Sequence, residues 1–158
     1  MSIIQINNLH KTYTDTKVPV KAVNGITLSI EEGEFTAIVG PSGSGKTTLL
    51  NLMGGLDTPT EGDILIGGTN IKDLSSRQLI DFRLRNIGFV FQSYNLIPVL
   101  TAIENVAFIM ELQGIGKKER HAIAMDLLTK VGLEGKENYR PGELSGGQQQ
   151  RVSVARAL

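Results

Sequence analysis

The 158-residue sequence has no cysteine, no tryptophan, two histidines and no excess of either charge. Without cysteine there are no disulfides and no thiolate zinc sites, which fits a reducing compartment. Lys and Arg number 16 and Asp and Glu 16. Nothing therefore draws nucleic acid or anionic lipid nonspecifically, and any anion site must be local. The opening segment MSIIQINNLHK lacks the basic and long apolar regions of a secretory signal. No run approaches the roughly 20 apolar residues that cross a bilayer. Internal repeats and low-complexity tracts are also missing. What remains has the composition of an ordinary soluble globular domain.

The patterning that is present separates into two kinds of strand. Ile26, Leu28 and Ile30 alternate with polar neighbours, as do Ile4 with Ile6 and Ile64 with Ile66, more weakly. Such alternation predicts half-buried strands, here an antiparallel sheet near the N-terminus. Phe35–Val39 and Ile87–Phe91 are nearly continuous apolar runs, the pattern of strands covered on both faces in a parallel α/β sheet. Helices are marked by their caps. Thr101-x-x-Glu104 is a capping box followed by Ile103, Val106, Ala107 and Met110 at helical spacing. Ser75-x-x-Gln78 opens another helix with Leu79 and Phe82 on one face. Ala124, Leu127, Leu128 and Val131 form a third stripe closed by Gly132. These stripes are read as core faces, which makes the stretch from about Leu96 to Gly142 mainly helical.

Glycine is concentrated where chemistry is expected. Gly40-Pro41-Ser42-Gly43-Ser44-Gly45-Lys46-Thr47 fits G-x-x-x-x-G-K-[ST], between the apolar run ending at Val39 and the helical segment Leu49–Met53. Glycines let successive backbone N–H groups turn inward around a phosphate. The following helix points its positive end at the same anion. Lys46 adds a full charge near the β- and γ-phosphates, and the Thr47 hydroxyl suits Mg²⁺. The motif predicts a nucleoside triphosphate site. Leu144-Ser145-Gly146-Gly147-Gln148 is a second small-residue loop, opening a helix expected over Gln149–Leu158.

A Walker A motif followed by LSGGQ resembles the ATP-binding cassette (ABC) ATPase family, across the whole chain. The resemblance implies an α/β P-loop NTPase with a RecA-like core, an N-terminal antiparallel β subdomain and a helical subdomain. It divides the chain into a β subdomain over 1–32 and 60–74, a P-loop core over 33–59 and 75–95, and a helical subdomain with LSGGQ over 96–158. ATP and Mg²⁺ are the implied cofactors. Nucleotide contacts are implied at Gly40, Ser42, Gly43, Ser44, Gly45, Lys46, Thr47 and Thr48, and at Ser145, Gly147 and Gln148. Tyr13 matches the aromatic residue that stacks on adenine, and Gln92 the Q-loop glutamine that contacts Mg²⁺ together with Thr47. Lys46, Gln92 and Ser145 are the implied catalytic set. Gly54-Gly55-Leu56-Asp57-x-Pro59-Thr60-x-Gly62, Gly88–Gln92, Leu96-Ile97-Pro98 and the extra residues between Tyr13 and Val23 are similar to the subgroup for macrolide efflux, lipoprotein release and antimicrobial-peptide export.

For partners, the resemblance implies a transmembrane permease, received near Ser93–Pro98, and a head-to-tail homodimer, at the cytoplasmic face of the bacterial inner membrane. No nucleic-acid partner is expected. The family's Walker B strand, with its Asp-Glu pair, and its switch histidine would follow Leu158. The sequence therefore reads as truncated, with an incomplete core sheet, self-association or low stability, and no turnover. Ala122–Asp126 is no substitute, lying before LSGGQ on an amphipathic helix. His10 and His121 read as surface or satisfied histidines. Three functions stay open: a transport-coupled ATPase, an ATP-binding fragment without turnover, and a DNA-maintenance ABC ATPase. The last is disfavoured by the absence of heptads and cysteines.

Overall fold

A computed structural model describes residues 1–14 and 18–158. They form two units, Met1–Asp81 and Phe82–Leu158. Of the segment between Tyr13 and Val23 that resembles a transporter subgroup, residues 15–17 lie outside the described residues.

The first unit is built on an antiparallel sheet of order β2-β1-β3-β4, with β1 at Ser2–Tyr13, β2 at Val20–Glu31, β3 at Glu61–Ile66 and β4 at Thr69–Asn70. The three alternating segments pair as expected: Ile6 faces Leu28 on one side and Ile64 on the other. Ile6, Leu9, Val23, Ile64 and Ile66 are buried. In β2, Ile26, Leu28 and Ile30 alternate with exposed Thr27 and Ser29, which fixes the inward face, since a slip of one residue would reverse every side chain. In β1, a register shift between Ile6 and Leu9 separates the two buried positions by three residues. Helix α1, Lys46–Met53, adds Leu49, Leu52 and Met53 to this unit's core. Helix α2, Ser76–Asn86, runs across the division between the units. Its start is tied by Ser75, whose N–H donates to Gln78 Oε1 at 2.9 Å. None of its side chains is fully buried, so Leu79 and Phe82 are half-buried contacts and not the core face expected of them.

The second unit is helical. Helix α3, Ala102–Leu112, starts at Thr101 with the expected reciprocal capping box to Glu104. Its first N–H groups find outside acceptors: Ala102 donates to the Tyr139 carbonyl at 2.8 Å and Ile103 to that of Glu137 at 3.0 Å. Helix α4, Lys117–Lys130, ends at Val131, and Gly132 follows with φ +70°, the left-handed conformation that ends helices and favours glycine. Helix α5, Gly146–Ala157, begins three residues earlier than its apolar pattern suggests. Val106, Leu128, Leu133 and Val152 meet in one buried cluster.

Two expected strands do not form. Residues 35–39 and 87–91 carry no regular secondary structure and join no sheet among the described residues. Phe35 is 97% exposed and Val39 86%. A strand of a parallel sheet is held by ladder partners and by helices over both faces, and the apolar pattern supplies neither. Around 87–91 some packing persists, with the Phe89 and Phe91 rings stacked at 5.6 Å between centroids. Gly88 lies so close to the Ala157 carbonyl at the end of α5 that no Cβ fits. Among the described residues no helix is long and apolar enough to cross a membrane.

Candidate nucleotide site

The phosphate loop takes its form from its own backbone. Gly43 has φ +78° and Gly45 φ +88°. Both lie in the region that other residues enter at a cost. At Gly45 the requirement is double, because an added Cβ would run into the Ala22 carbonyl of β2. Gly45 is also the N-cap of α1 and gives it no side-chain acceptor. The first N–H groups of a helix have no intrahelical partner, and at the start of α1 no N-cap side chain accepts from them. Lys46 curls over the loop, its Nζ donating to the Gly40 carbonyl at 2.9 Å, the Pro41 carbonyl at 2.7 Å and Ser44 Oγ at 3.4 Å. These neutral acceptors hold the ammonium over the loop without neutralising it.

The loop faces an open cleft of about 400 Å³ lined by Tyr13, Val20, Lys21, Ala22 and the run Ser42–Thr48. Eight of the residues predicted from sequence thus line one cavity, although Tyr13 and the loop are far apart in the chain. Gly40 does not line it. It accepts from Lys46, and a Cβ there would press on Ser44 Oγ at 2.9 Å. Val20, Lys21 and Ala22 were not anticipated. The hairpin register, which sets Tyr13 opposite Val20 and Thr12 opposite Lys21, is what brings them to the rim.

Behind Tyr13 stands a polar cluster that motif reading passed over. The Tyr13 hydroxyl donates to Asp57 Oδ2 at 2.7 Å, and Lys11 Nζ donates to Asp57 Oδ1 at 2.6 Å and to the Thr58 carbonyl at 2.7 Å. Burial pushes the Asp57 carboxyl up. Hydrogen bonds from Lys11, Tyr13 and the Thr58 N–H, with the Lys11 charge, outweigh it and hold the group below the usual carboxylate range.

The remaining predicted residues belong to the second unit. Gln92 is exposed in a turn. Ser145 caps α5: its Oγ accepts from the Gln148 N–H at 3.3 Å, and its own N–H donates to Gln148 Oε1 at 2.9 Å. Both side chains are engaged in a reciprocal cap. Gly146 and Gly147 are exposed beside it, and Tyr94 lies close enough for its hydroxyl to come within 3.1 Å of a Cβ at Gly146. Tyr94 and Asn95 have φ +59° and +48°. The Arg156 guanidinium holds that turn, donating to the Asn95 carbonyl at 2.6 Å and the Tyr94 carbonyl at 2.9 Å. His10 Nε2 is satisfied by Asn8 Oδ1 at 3.1 Å, and His121 is exposed, as expected of both.

A glycine-bounded loop at a helix start, with its lysine held over the loop, has the form expected of the P-loop class. Comparison with known proteins narrows the class: the chain belongs to the ABC transporter family, whose profile matches residues 23–158. It is 50% identical over 158 residues to the macrolide export ATP-binding/permease protein MacB of Mannheimia succiniciproducens, covering 100% of this chain and 25% of that protein. It is 49% identical over 156 residues to an uncharacterized ABC transporter ATP-binding protein of Thermotoga maritima, covering 99% and 67%. Among solved structures it is similar to the dimeric ATP-binding cassette MJ0796 in a post-hydrolysis state with ADP and Pi. The TM-score is 0.92 at 45% identity, over 98% of this chain and 68% of that one. The chain thus spans a quarter of the first of these relatives and about two thirds of the others.

Proposed function

We propose that this chain is the ATP-binding portion of a bacterial ABC transporter, and that its cleft binds the nucleotide. The observation that carries the proposal is the meeting of Tyr13 with Ser42–Thr48 in one cavity at the uncapped start of α1. The amides there and the Lys46 ammonium suit the β- and γ-phosphates. The Tyr13 ring suits the base, stacking being worth about 1–3 kcal/mol. When bound, ATP would supply the phosphoanhydride whose cleavage drives transport.

Magnesium fits this site as an ion carried with the nucleotide. Among the described residues no group of three His, Cys, Asp or Glu side chains is placed to hold a metal. The exposed Thr47 hydroxyl offers one neutral oxygen, in keeping with the preference of Mg²⁺ for water and phosphate ligands. Gln92 as a second magnesium contact, and Ser145, Gly147 and Gln148 as nucleotide contacts, are proposed from the family resemblance. So are the three-part division of the chain, a head-to-tail homodimer, a permease partner and a peripheral place at the cytoplasmic face of the inner membrane. Two relatives support this: one is a combined ATP-binding and permease protein, the other a dimeric cassette.

A second reading applies to the chain as it stands: capture of ATP without turnover. Among the described residues no carboxylate or imidazole lines the cleft to position or deprotonate a water. Replacing Lys46 by alanine removes the loop's charge. It should weaken ATP binding in titration calorimetry by about tenfold or more, as loss of a charge-assisted hydrogen bond implies. Equal affinities would sink the nucleotide assignment. In a phosphate-release assay, Lys46-dependent turnover would reject the second reading and favour the first.

A further inference from the structure

We propose that Asp57 is a positioning residue for the nucleotide base: it sets the Tyr13 ring at a fixed place relative to the phosphate loop. The inference rests on the nucleotide reading of the cleft and deepens it. Tyr13 is the last residue of β1 and forms the last pair of the hairpin, opposite Val20. A tyrosine so placed turns freely about two side-chain torsions unless something holds its far end. Asp57 does so, its Oδ2 accepting from the phenol at 2.7 Å.

The carboxylate is itself held rigidly. Its Oδ1 accepts from Lys11 Nζ at 2.6 Å and from the Thr58 N–H at 2.7 Å. The Lys11 and Asp57 side chains are only 13% and 26% exposed. Lys11 also stands over the Tyr13 ring, 4.8 Å from its centroid, so that one face carries a cation. The opposite face is then the one left for a stacking partner.

The far side of the clamp leads back to the phosphate loop. Leu56 and Asp57 both donate their N–H groups to the Asn51 carbonyl, at 2.8 and 3.3 Å, and Gly54 and Gly55 donate to Leu50 and Leu52. Asp57 is thereby fixed to the C-terminal end of α1, whose N-terminal end is the phosphate loop. The helix works as a spacer of about 12 Å at 1.5 Å per residue. One end presents donors for phosphates, and the other carries the carboxylate that holds the base platform. A simple structural tie between β1 and the loop after α1 would not require the aromatic hydroxyl to take part. Here it occupies one of the two carboxylate oxygens.

The test uses two probes with the full chain: ADP, which has a base, and inorganic tripolyphosphate, which does not. Affinities are measured by calorimetry for wild type, Asp57→Ala, Tyr13→Phe, the double variant, Tyr13→Ala and Lys46→Ala. Asp57→Ala should weaken ADP about tenfold, the equivalent of about 1.4 kcal/mol, and leave tripolyphosphate within about twofold. Tyr13→Phe keeps the ring and the fold, loses only the hydroxyl, and should weaken ADP alone. The double variant should be no worse than the weaker single, because both remove the same bond. An Asp57→Ala chain that weakens both probes equally, or leaves ADP unchanged while Tyr13→Ala weakens it, overturns the positioning role. Should Asp57→Ala not fold, unchanged ADP binding in Tyr13→Phe overturns it by itself. Indifference of both probes to Lys46→Ala would instead overturn the nucleotide reading, and this inference with it.

Discussion

Two side chains buried in the helical unit show that a buried polar atom is judged by its partners. Asn105 is fully buried on α3, a position that the helix's apolar spacing gives no reason to suspect. Its Oδ1 accepts from the Ile97 N–H at 2.8 Å. Its Nδ2 reaches the carbonyls of Ile97, Leu100 and Thr101 at 3.2, 3.1 and 3.0 Å. It closes the loop before α3 from within. Ser153 on α5 is as deeply buried, yet its Oγ has no hydrogen-bond partner among the described residues. An unsatisfied buried group costs about 1–3 kcal/mol, whereas removing an unpaired one relieves that cost. Asn105→Ala should therefore lose about 2–3 kcal/mol in urea unfolding, and Ser153→Ala should be neutral or gain up to about 1 kcal/mol. Equal losses at the two sites would contradict the hydrogen-bond account. Nothing about serine or asparagine in a helix distinguishes the two positions beforehand, since the difference lies in a carbonyl-rich loop that folds over one and not the other.

At the level of elements, the strands and helices with local signals formed where those signals lie. The alternation around Ile4–Ile6, Ile26–Ile30 and Ile64–Ile66 is enough to pair β1, β2 and β3, because each strand carries its own instruction about which face is buried. Thr101 and Glu104 start α3 through contacts three residues apart. The connection from β1 to the loop after α1 has no such signal. It depends on Asp57 meeting Lys11 and Tyr13 across 46 and 44 residues. The carboxyl's folded pKa lies below its ordinary value. Stability from this tie is then complete above the unfolded value of about 3.9, and is lost as pH falls through the lower folded one. The stability difference between wild type and Asp57→Ala should accordingly be constant from pH 7 to about 5 and shrink below about pH 4. A difference that grew on acidification would show the sign to be wrong.

For the whole molecule, the consequential feature is the apolar run 35–39 without a ladder. Phe35 and Val39 are 97% and 86% exposed, beside backbone groups that join no sheet among the described residues. Unpaired backbone flanked by apolar side chains is a template for another chain. A polypeptide of these 158 residues should therefore self-associate at micromolar concentration. Phe35→Lys with Val39→Lys should raise the monomer fraction in light scattering, since charge on such a segment opposes pairing. A monodisperse wild-type monomer would remove the argument.

Local order along the chain was enough to announce a P-loop, an antiparallel sheet, capped helices and an LSGGQ turn, because each rests on residues within one or two turns of one another. Family membership followed from the same short motifs. The fate of 35–39 and 87–91 was not legible, because an apolar run states a need for burial without supplying the strands and helices that meet it. Nor was the double role of Gly45, which depends on the approach of β2 at Ala22. The reciprocal cap of α5 by Ser145 and Gln148 lay in the sequence as S-x-x-Q, within the family motif. The clamp of Lys11, Tyr13 and Asp57 belongs wholly to the tertiary structure. Hydrogen bonds between side chains more than forty residues apart leave no periodic trace, and only the folded sheet brings β1 beside the end of α1.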